Sequence, residues 1–195
     1  MKIFLFLTPL LISLTDTSVF AKPNDLYAIA KKNFEAECVR GLAQPVLLKN
    51  KVQNHTFSIK NTTDDFPILY GLEMAQLENK QTIRLEHVGC ESYGFDIQLR
   101  LNSTDIEKNH KLCQSCLIQE LRRIAVYLQQ DDREFYLDGI TALEQQFKKS
   151  KTFRLNTDYM LKGTEEIPLI FSFSQIQKQK NGQYFIHFMN RIGPL

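Results

Sequence analysis

The sequence predicts an α+β fold in which a mainly antiparallel sheet carries an N-terminal helix and two central helices on one face, stapled by disulfides. Two observations on residue spacing support it: apolar residues recur at helical spacing in three segments and alternate with polar residues in several others. A third is the order along the chain, which is helix, strands, two helices, strands. This order differs from the strand–helix alternation that is typical of a parallel sheet.

The first residues have the pattern of a secretory signal peptide. Lys2 supplies a positive charge, an apolar stretch runs from Ile3 to Leu14, and a small-x-small pattern ends at Ala21. The apolar stretch is too short for a membrane span, which takes about 20 apolar residues. We therefore expect residues 1–21 to be removed. Residues 22–195 would then form a single α+β domain that is periplasmic or secreted and is not held in a membrane.

The first helix is predicted from Asn24 onward, because asparagine is a favourable N-cap residue. Its apolar face would be formed by four residues at helical spacing: Tyr27, Ala30, Phe34 and Cys38. Cys38 should therefore face the core.

Four extended segments are predicted next, at residues 56–59, 66–77, 82–88 and 93–101, and Gly71 is predicted to mark a bulge in the second. The last two alternate clearly and would be neighbours in an antiparallel meander. Their inward-facing residues would be Ile83, Leu85, His87 or Val88, Tyr93, Phe95, Ile97, Leu99 and Leu101.

Two central helices follow in the prediction. Ser103 or Thr104 would cap the first, and Asp131 or Asp132 would start the second. The apolar stripe of the first would be Ile106, Cys113, Leu117, Leu121, Ile124 and Leu128. The stripe of the second would be Tyr136, Ile140, Leu143 and Phe147.

The end of the chain is predicted to return to strands. Residues 152–155 form a short candidate strand, and residues 167–176 and 184–188 form two longer ones. Asn181-Gly182 lies between the longer strands, and asparagine and glycine both accept the positive φ of a tight turn. The sequence therefore predicts a closing β-hairpin.

The four cysteines are Cys38, Cys90, Cys113 and Cys116. An even count in an exported chain predicts two disulfides, and the three possible pairings stay open. In the structural interpretation, Cys113 and Cys116 each bond to Cys38 or Cys90. In the alternative, the Cys113-x-x-Cys116 pair carries out thiol–disulfide exchange. The predicted position of the pair, two turns inside a helix, argues against the alternative, since a helix dipole acts only near its end.

Other chemistry has weaker support in the sequence. The cysteines could in principle bind zinc, but only one C-x-x-C is present and exported thiols tend to oxidise, so we expect no metal and no cofactor. His110 and Cys113 could meet on a helix as a nucleophile pair, whereas Glu86 and His87 point to opposite faces of a strand. The paired acids at residues 64–65, 131–132 and 165–166 suit turns and helix caps.

The function predicted from these observations is that of an exported, non-enzymatic binding protein. It would recognise another protein, as an inhibitor or immunity protein of the cell envelope does. A net charge of +2 gives no indication of a nucleic-acid partner. The alternatives are the thiol–disulfide oxidoreductase and a hydrolase with a dispersed site. The loops at residues 61–65 and 178–182 are the candidate recognition loops, because exposed loops often carry binding residues.

Overall fold

The computed structural model describes residues 23–38, 41–63, 67–89, 93–160 and 168–192. The predicted signal peptide and Cys90 lie outside these residues. The helices are α1 (Pro23–Glu37), α2 (Ser103–Ile106), α3 (Gln114–Ile124) and α4 (Gln130–Ser150). The strands are β1 (Gln53–Asn61), β2 (Leu69–Gln76), β3 (Thr82–Gly89), β4 (Tyr93–Asn102), β5 (Glu107–Lys108), β6 (Lys111–Leu112), β7 (Tyr159–Met160), β8 (Leu169–Lys178) and β9 (Gln183–Ile192).

Seven strands form one antiparallel sheet in the order β1-β2-β3-β4-β9-β8-β7. The C-terminal strand β9 therefore pairs with β4 near the middle of the sheet. The strands β5 and β6 form a separate small ribbon. This architecture confirms the α+β prediction and its antiparallel sheet. Within the described ranges, no helix is both long and apolar enough to cross a bilayer.

The core lies between the sheet and the helices on one of its faces. Helix α1 packs on β1 and β2, and α4 packs on β7, β8 and β9. Burial alternates along the strands as the sequence predicts, and His87 is inside with Leu85. Fully buried side chains of this face include Leu85, Phe95, Ile97, Leu99, Phe171, Phe173 and Phe188, and from α4 Tyr136, Ile140 and Leu143.

The segment predicted as one helix from residue 103 onward is divided, so that prediction is wrong. Helix α2 has a single turn, the β5–β6 ribbon follows, and α3 begins only at Gln114. Asn109 and His110 both have positive φ, 53° and 60°, which a continuing right-handed helix does not allow. Two consecutive residues of this kind form the turn that suits a two-residue hairpin.

Gly71 does not mark a bulge, contrary to the prediction. It lies in regular register between Ile59 on β1 and His87 on β3. A Cβ at this position would lie 2.4 Å from His87 Nε2, so the absence of a side chain makes room for the imidazole. The irregularity of β1 lies instead between Gln53 and Thr56.

The ends of the described chain confirm some predictions and correct others. The closing hairpin is present, and Gly182 takes positive φ (79°) in its turn. The predicted strand at residues 152–155 is wrong, and the short β7 forms later. Helix α1 begins at Pro23, so Asn24 lies inside the helix and is not its cap. Proline suits a first helical turn because its missing N–H has no partner there in any helix.

Candidate functional site

Among the described residues, no helix packs against the second face of β2, β3, β4 and β9. We call the side chains on these strands that point away from the helices the open face. The cross-strand register aligns them in rows, for example Leu72, Glu86, Asp96 and Met189. The open face comprises Tyr70, Leu72, Met74, Gln76, Thr82, Arg84, Glu86, Gly94, Asp96, Gln98, Arg100, Phe185, His187, Met189 and Arg191.

Arginine is the commonest basic residue of the open face. The chain has twice as many lysines as arginines, 16 against 8. The four strands of the open face nevertheless carry Arg84, Arg100 and Arg191, and Lys60 lies on the same side of the sheet, opposite Tyr70 on the edge strand β1. The open face also carries two methionines and two aromatic residues. Protein–protein interfaces are enriched in arginine, methionine and aromatic residues and depleted in lysine, glutamate and aspartate. The open face shares this enrichment, although it also carries Glu86 and Asp96.

A cleft of about 480 Å³ lies at one end of the open face. Its apolar wall includes Ile68, Tyr70, Tyr93 and Met189, and Ile68 is 40% exposed. Residues 61–63 line one side, so part of the predicted recognition loop borders the cleft. The rest of that loop, residues 64 and 65, lies outside the described residues.

The charged groups of the cleft are held by nearby charged side chains. Glu86 pairs with Arg84, and Asp96 accepts a hydrogen bond from His187 Nε2 at 2.7 Å. Arg191 Nη2 lies 4.0 Å from Asp158, and its Nε is buried without a hydrogen-bond partner in the described part of the chain. These pairs fix the charged side chains before any ligand arrives.

A second hollow of about 370 Å³ lies further along the open face. Arg84 and Arg100 border it together with Met74 and Phe185. Met74 is 43% exposed, which makes it one of the more exposed apolar side chains of the sheet. Arginine and apolar side chains therefore continue along the face beyond the cleft.

A buried carboxylate on the helix side secures the segment that precedes β1. Glu73 is fully buried and accepts hydrogen bonds from the backbone N–H groups of Val46 (2.8 Å) and Leu47 (3.0 Å). His55 Nε2 lies 2.5 Å from the same carboxylate. With three partners, the Glu73 carboxylate is already satisfied and serves to hold the fold together.

His87 and Asp132 are titratable groups beside a small cavity of about 170 Å³. Burial lowers the pKa of His87 to about 4, so the imidazole is neutral at pH 7. Its Nε2 has no hydrogen-bond partner among the described residues. Burial raises the pKa of Asp132, and a hydrogen bond from the Tyr93 hydroxyl opposes this. Glu86 points to the other face, as predicted, so it does not work with His87.

The cysteines depart from the structural interpretation of the sequence. Cys113 and Cys116 are bonded to each other, so neither is linked to Cys38 or Cys90. Cys38 is itself disulfide-bonded, and Cys90 lies outside the described residues. The pair also lies at the start of α3, with Cys113 as its N-cap, rather than two turns inside a helix. The position of the pair in α3 therefore does not oppose thiol–disulfide exchange.

The remaining candidate residues form no common site. His110 lies exposed at the turn of the β5–β6 ribbon, and the acids at 131–132 lie in the first turn of α4. The acids at 165–166 lie outside the described residues. Lys178, in the second predicted recognition loop, is paired with Glu107 at 2.6 Å. Within the described ranges, no group of three or more acidic, histidine or cysteine side chains could hold a metal ion.

The open face was not predicted from the sequence, although the sequence contains a pattern that indicates it. Arginine occupies the outward positions 84 and 100 of two predicted strands, although lysine is the commoner cation in the chain as a whole. The position of Glu73 carries no such signal, because its partners Val46, Leu47 and His55 precede it by 27, 26 and 18 residues.

The chain matches no protein-family model, no curated protein and no solved structure at a significant level.

Proposed function

We propose that this chain is an exported, non-enzymatic binding protein whose open face receives another protein, in the manner of an inhibitor or immunity protein of the cell envelope. The observation that carries the proposal is the composition of the open face, which has three arginines, two methionines and two aromatic residues in a chain where lysine is twice as common as arginine. The Cys113–Cys116 disulfide is compatible with the oxidising compartment in which such a protein would act.

Arginine suits this role for physical reasons. Its guanidinium group is planar, more weakly hydrated than an ammonium group, and able to donate two parallel hydrogen bonds to one carboxylate. An arginine side chain loses less conformational freedom than a lysine side chain for each hydrogen bond that it forms. Arginines at 84, 100 and 191 can therefore be covered by a partner at lower cost than lysines could.

The charge pairs on the open face favour binding by preorganisation. The Arg84–Glu86 and Asp96–His187 pairs hold four side chains in place on adjoining strands. Association costs free energy for every side chain that must be immobilised, so side chains that are already ordered reduce this cost. The strands themselves are rigid because each central strand is paired on both sides.

The cleft supplies a place for an anchoring side chain of the partner. Affinity in protein interfaces is concentrated in a few side chains that enter well-packed pockets. The apolar wall formed by Ile68, Tyr70, Tyr93 and Met189 suits an aliphatic or aromatic anchor. Glu86 and Asp96, which also line the cleft, would accept hydrogen bonds from a polar group at the tip of that anchor.

The test compares two substitutions of matched exposure. Met74, on the open face, is 43% exposed, and Val126, between α3 and α4, is 44% exposed. Purified Met74→Glu, Val126→Glu and unmodified protein would be cross-linked to the proteins of the native compartment, and the captured partner identified and titrated. We expect Met74→Glu to weaken the dissociation constant at least fivefold, the effect of losing about 1 kcal/mol, and Val126→Glu to leave it unchanged. Equal binding by both variants would contradict the proposal.

A conservative pair tests the arginine argument itself. Arg100→Lys keeps the charge on the open face, and Arg154→Lys makes the same change at an exposed loop position. We expect Arg100→Lys to weaken binding of the captured partner about fivefold and Arg154→Lys to have no effect. If Arg100→Lys binds the partner as tightly as Arg154→Lys does, the open face either attracts the partner through charge alone or does not contact it.

A further inference from the structure

The Cys113–Cys116 disulfide contributes little as a staple. It joins residues three positions apart, and both lie at the start of the same helix. The constraint that a disulfide places on the unfolded chain grows with the length of the loop it closes, so a short loop is the least favourable case. A structural role therefore accounts poorly for this bond.

The position of the pair favours a thiolate on Cys113 once the bond is open. Cys113 is the N-cap of α3, a helix of 11 residues. The backbone N–H of Cys116 donates to Cys113 Sγ at 3.2 Å. A helix N-terminus stabilises negative charge through such free N–H groups, and this is how reactive cysteines are activated. Both cysteines are half-buried and Ser115 between them is exposed, so the bond can be approached from solvent.

Two lysines next to the disulfide are arranged in a way that folding alone does not favour. Lys108 and Lys111 lie directly opposite each other in the β5–β6 ribbon, and both are exposed. Like charges directly opposite are destabilising. No ion pair or hydrogen bond of either lysine is found among the described residues.

The lysines and Cys113 lie on the same side of the chain. Side chains two positions apart in an extended segment point the same way, and Cys113 follows Lys111 by two residues with extended backbone angles. The opposite side of the ribbon faces the fold, where Glu107 accepts hydrogen bonds from Lys178 (2.6 Å) and Tyr184 (2.8 Å). The acid of the ribbon is thus neutralised, and the free charge beside the disulfide is positive.

We propose that Cys113–Cys116 is a second site, which exchanges thiols and disulfides with an anionic low-molecular-mass thiol. A thiolate of this ligand attacks Cys113 Sγ, the bond to Cys116 breaks, and Cys116 leaves as a thiolate that takes up a proton. A second ligand thiolate then attacks the ligand sulfur of the mixed disulfide and expels Cys113, which is protonated in turn. Two ligand thiols become one disulfide, and the protein disulfide gains two electrons and two protons.

The experiment starts from the reduced protein and measures the rate at which three disulfides reoxidise it. Oxidised glutathione is anionic, 2-hydroxyethyl disulfide is neutral and cystamine is cationic. Trypsin cleaves after Lys111 and Arg122 in the unmodified chain, and after Arg100 and Arg122 once both lysines are replaced. Both cysteines therefore lie on one peptide in either protein, and its oxidation is followed by alkylation and mass spectrometry. The variant is Lys108→Gln/Lys111→Gln, and the matched control is Lys148→Gln/Lys149→Gln at the exposed end of α4.

The measured quantity is the ratio of the reoxidation rate with oxidised glutathione to the rate with cystamine. We expect this ratio to fall about tenfold in the Lys108/Lys111 variant, roughly threefold for each lysine, and to stay unchanged in the control. The preference should also weaken at high salt. An unchanged ratio in the Lys108/Lys111 variant would overturn the proposal, as would a Cys113–Cys116 bond that dithiothreitol opens only when the protein unfolds. Partner capture by the open face should survive Cys113→Ser/Cys116→Ser, so the two proposals can fail independently.

Discussion

Replacing Gly139 with alanine tests a close approach of α4 to the sheet. A Cβ at this position would lie 2.1 Å from Asn190 Oδ1 and 2.6 Å from its Cγ. Asn190, on β9, is fully buried, and its Nδ2 donates to the Phe135 carbonyl at 3.1 Å. Because the amide is enclosed, it cannot move out of the way into solvent.

These contacts set the size of the expected loss of stability. Overpacking a filled core costs about 1–3 kcal/mol, and leaving a displaced buried amide unpaired costs about 1–3 kcal/mol more. The better helix propensity of alanine returns about 1 kcal/mol. We therefore expect Gly139→Ala to lower the free energy of unfolding by about 3 kcal/mol.

Urea unfolding of a double-mutant cycle measures this effect and identifies its cause. Gly139→Ala alone should lower the transition midpoint with little change in the slope of free energy against urea concentration. In an Asn190→Ala background, where the amide is gone, the same substitution should raise the free energy of unfolding by about 1 kcal/mol. A Gly139→Ala protein as stable as the parent, or an equal loss in both backgrounds, would refute the reasoning.

Three further predictions concern the buried groups and the cysteines. Glu73→Gln removes a carboxylate that two backbone N–H groups and His55 use, and should lower the free energy of unfolding by about 2 kcal/mol in urea titrations; a change below about 0.5 kcal/mol would contradict this. The pKa of His87 is about 4 in the folded protein and 6.5 in a free histidine, so the unfolded chain binds the extra proton first. The stability that the protein owes to a neutral His87 is complete above pH 6.5 and is lost as the pH falls, by about 3 kcal/mol at pH 4. The free energy of unfolding, measured from pH 7 to pH 4, should therefore fall less steeply with pH in His87→Gln than in the unmodified protein. Parallel pH profiles of the two proteins would contradict this prediction. Peptide mapping without reductant should recover Cys113 and Cys116 linked within one tryptic peptide, and a link from either to Cys38 or Cys90 would show the pairing to be wrong.

Side-chain periodicity was sufficient to predict much of the fold. The alternation at residues 82–88 and 93–101 gave the inward-facing sides of β3 and β4, including Leu85 and Phe95. The stripe of α4 and the closing hairpin at Asn181-Gly182 were predicted in the same way. These features depend on neighbours in the sequence, because the spacing of apolar residues directly sets which side of a helix or strand is apolar.

The helix predicted across residues 103–128 shows where this reasoning stops. Its apolar residues do have helical spacing, yet the chain turns back at Asn109 and His110. The ribbon is held by Glu107, whose partners Lys178 and Tyr184 lie 71 and 77 residues further along. The spacing of apolar residues in a short segment does not depend on such distant partners. The prediction from spacing therefore put Cys113 two turns inside a helix, whereas α3 begins after Cys113.

The sequence by itself determined the fold class, the antiparallel alternation, and the four cysteines that an exported chain would oxidise. Tertiary structure decided which cysteines pair, and which face of the sheet is left without helices among the described residues. The open face exists because β9 pairs with β4, which brings His187 to Asp96 across 91 residues of chain. Strand pairing over such a distance depends on the apolar surface that the whole core buries, and no short stretch of sequence determines that area.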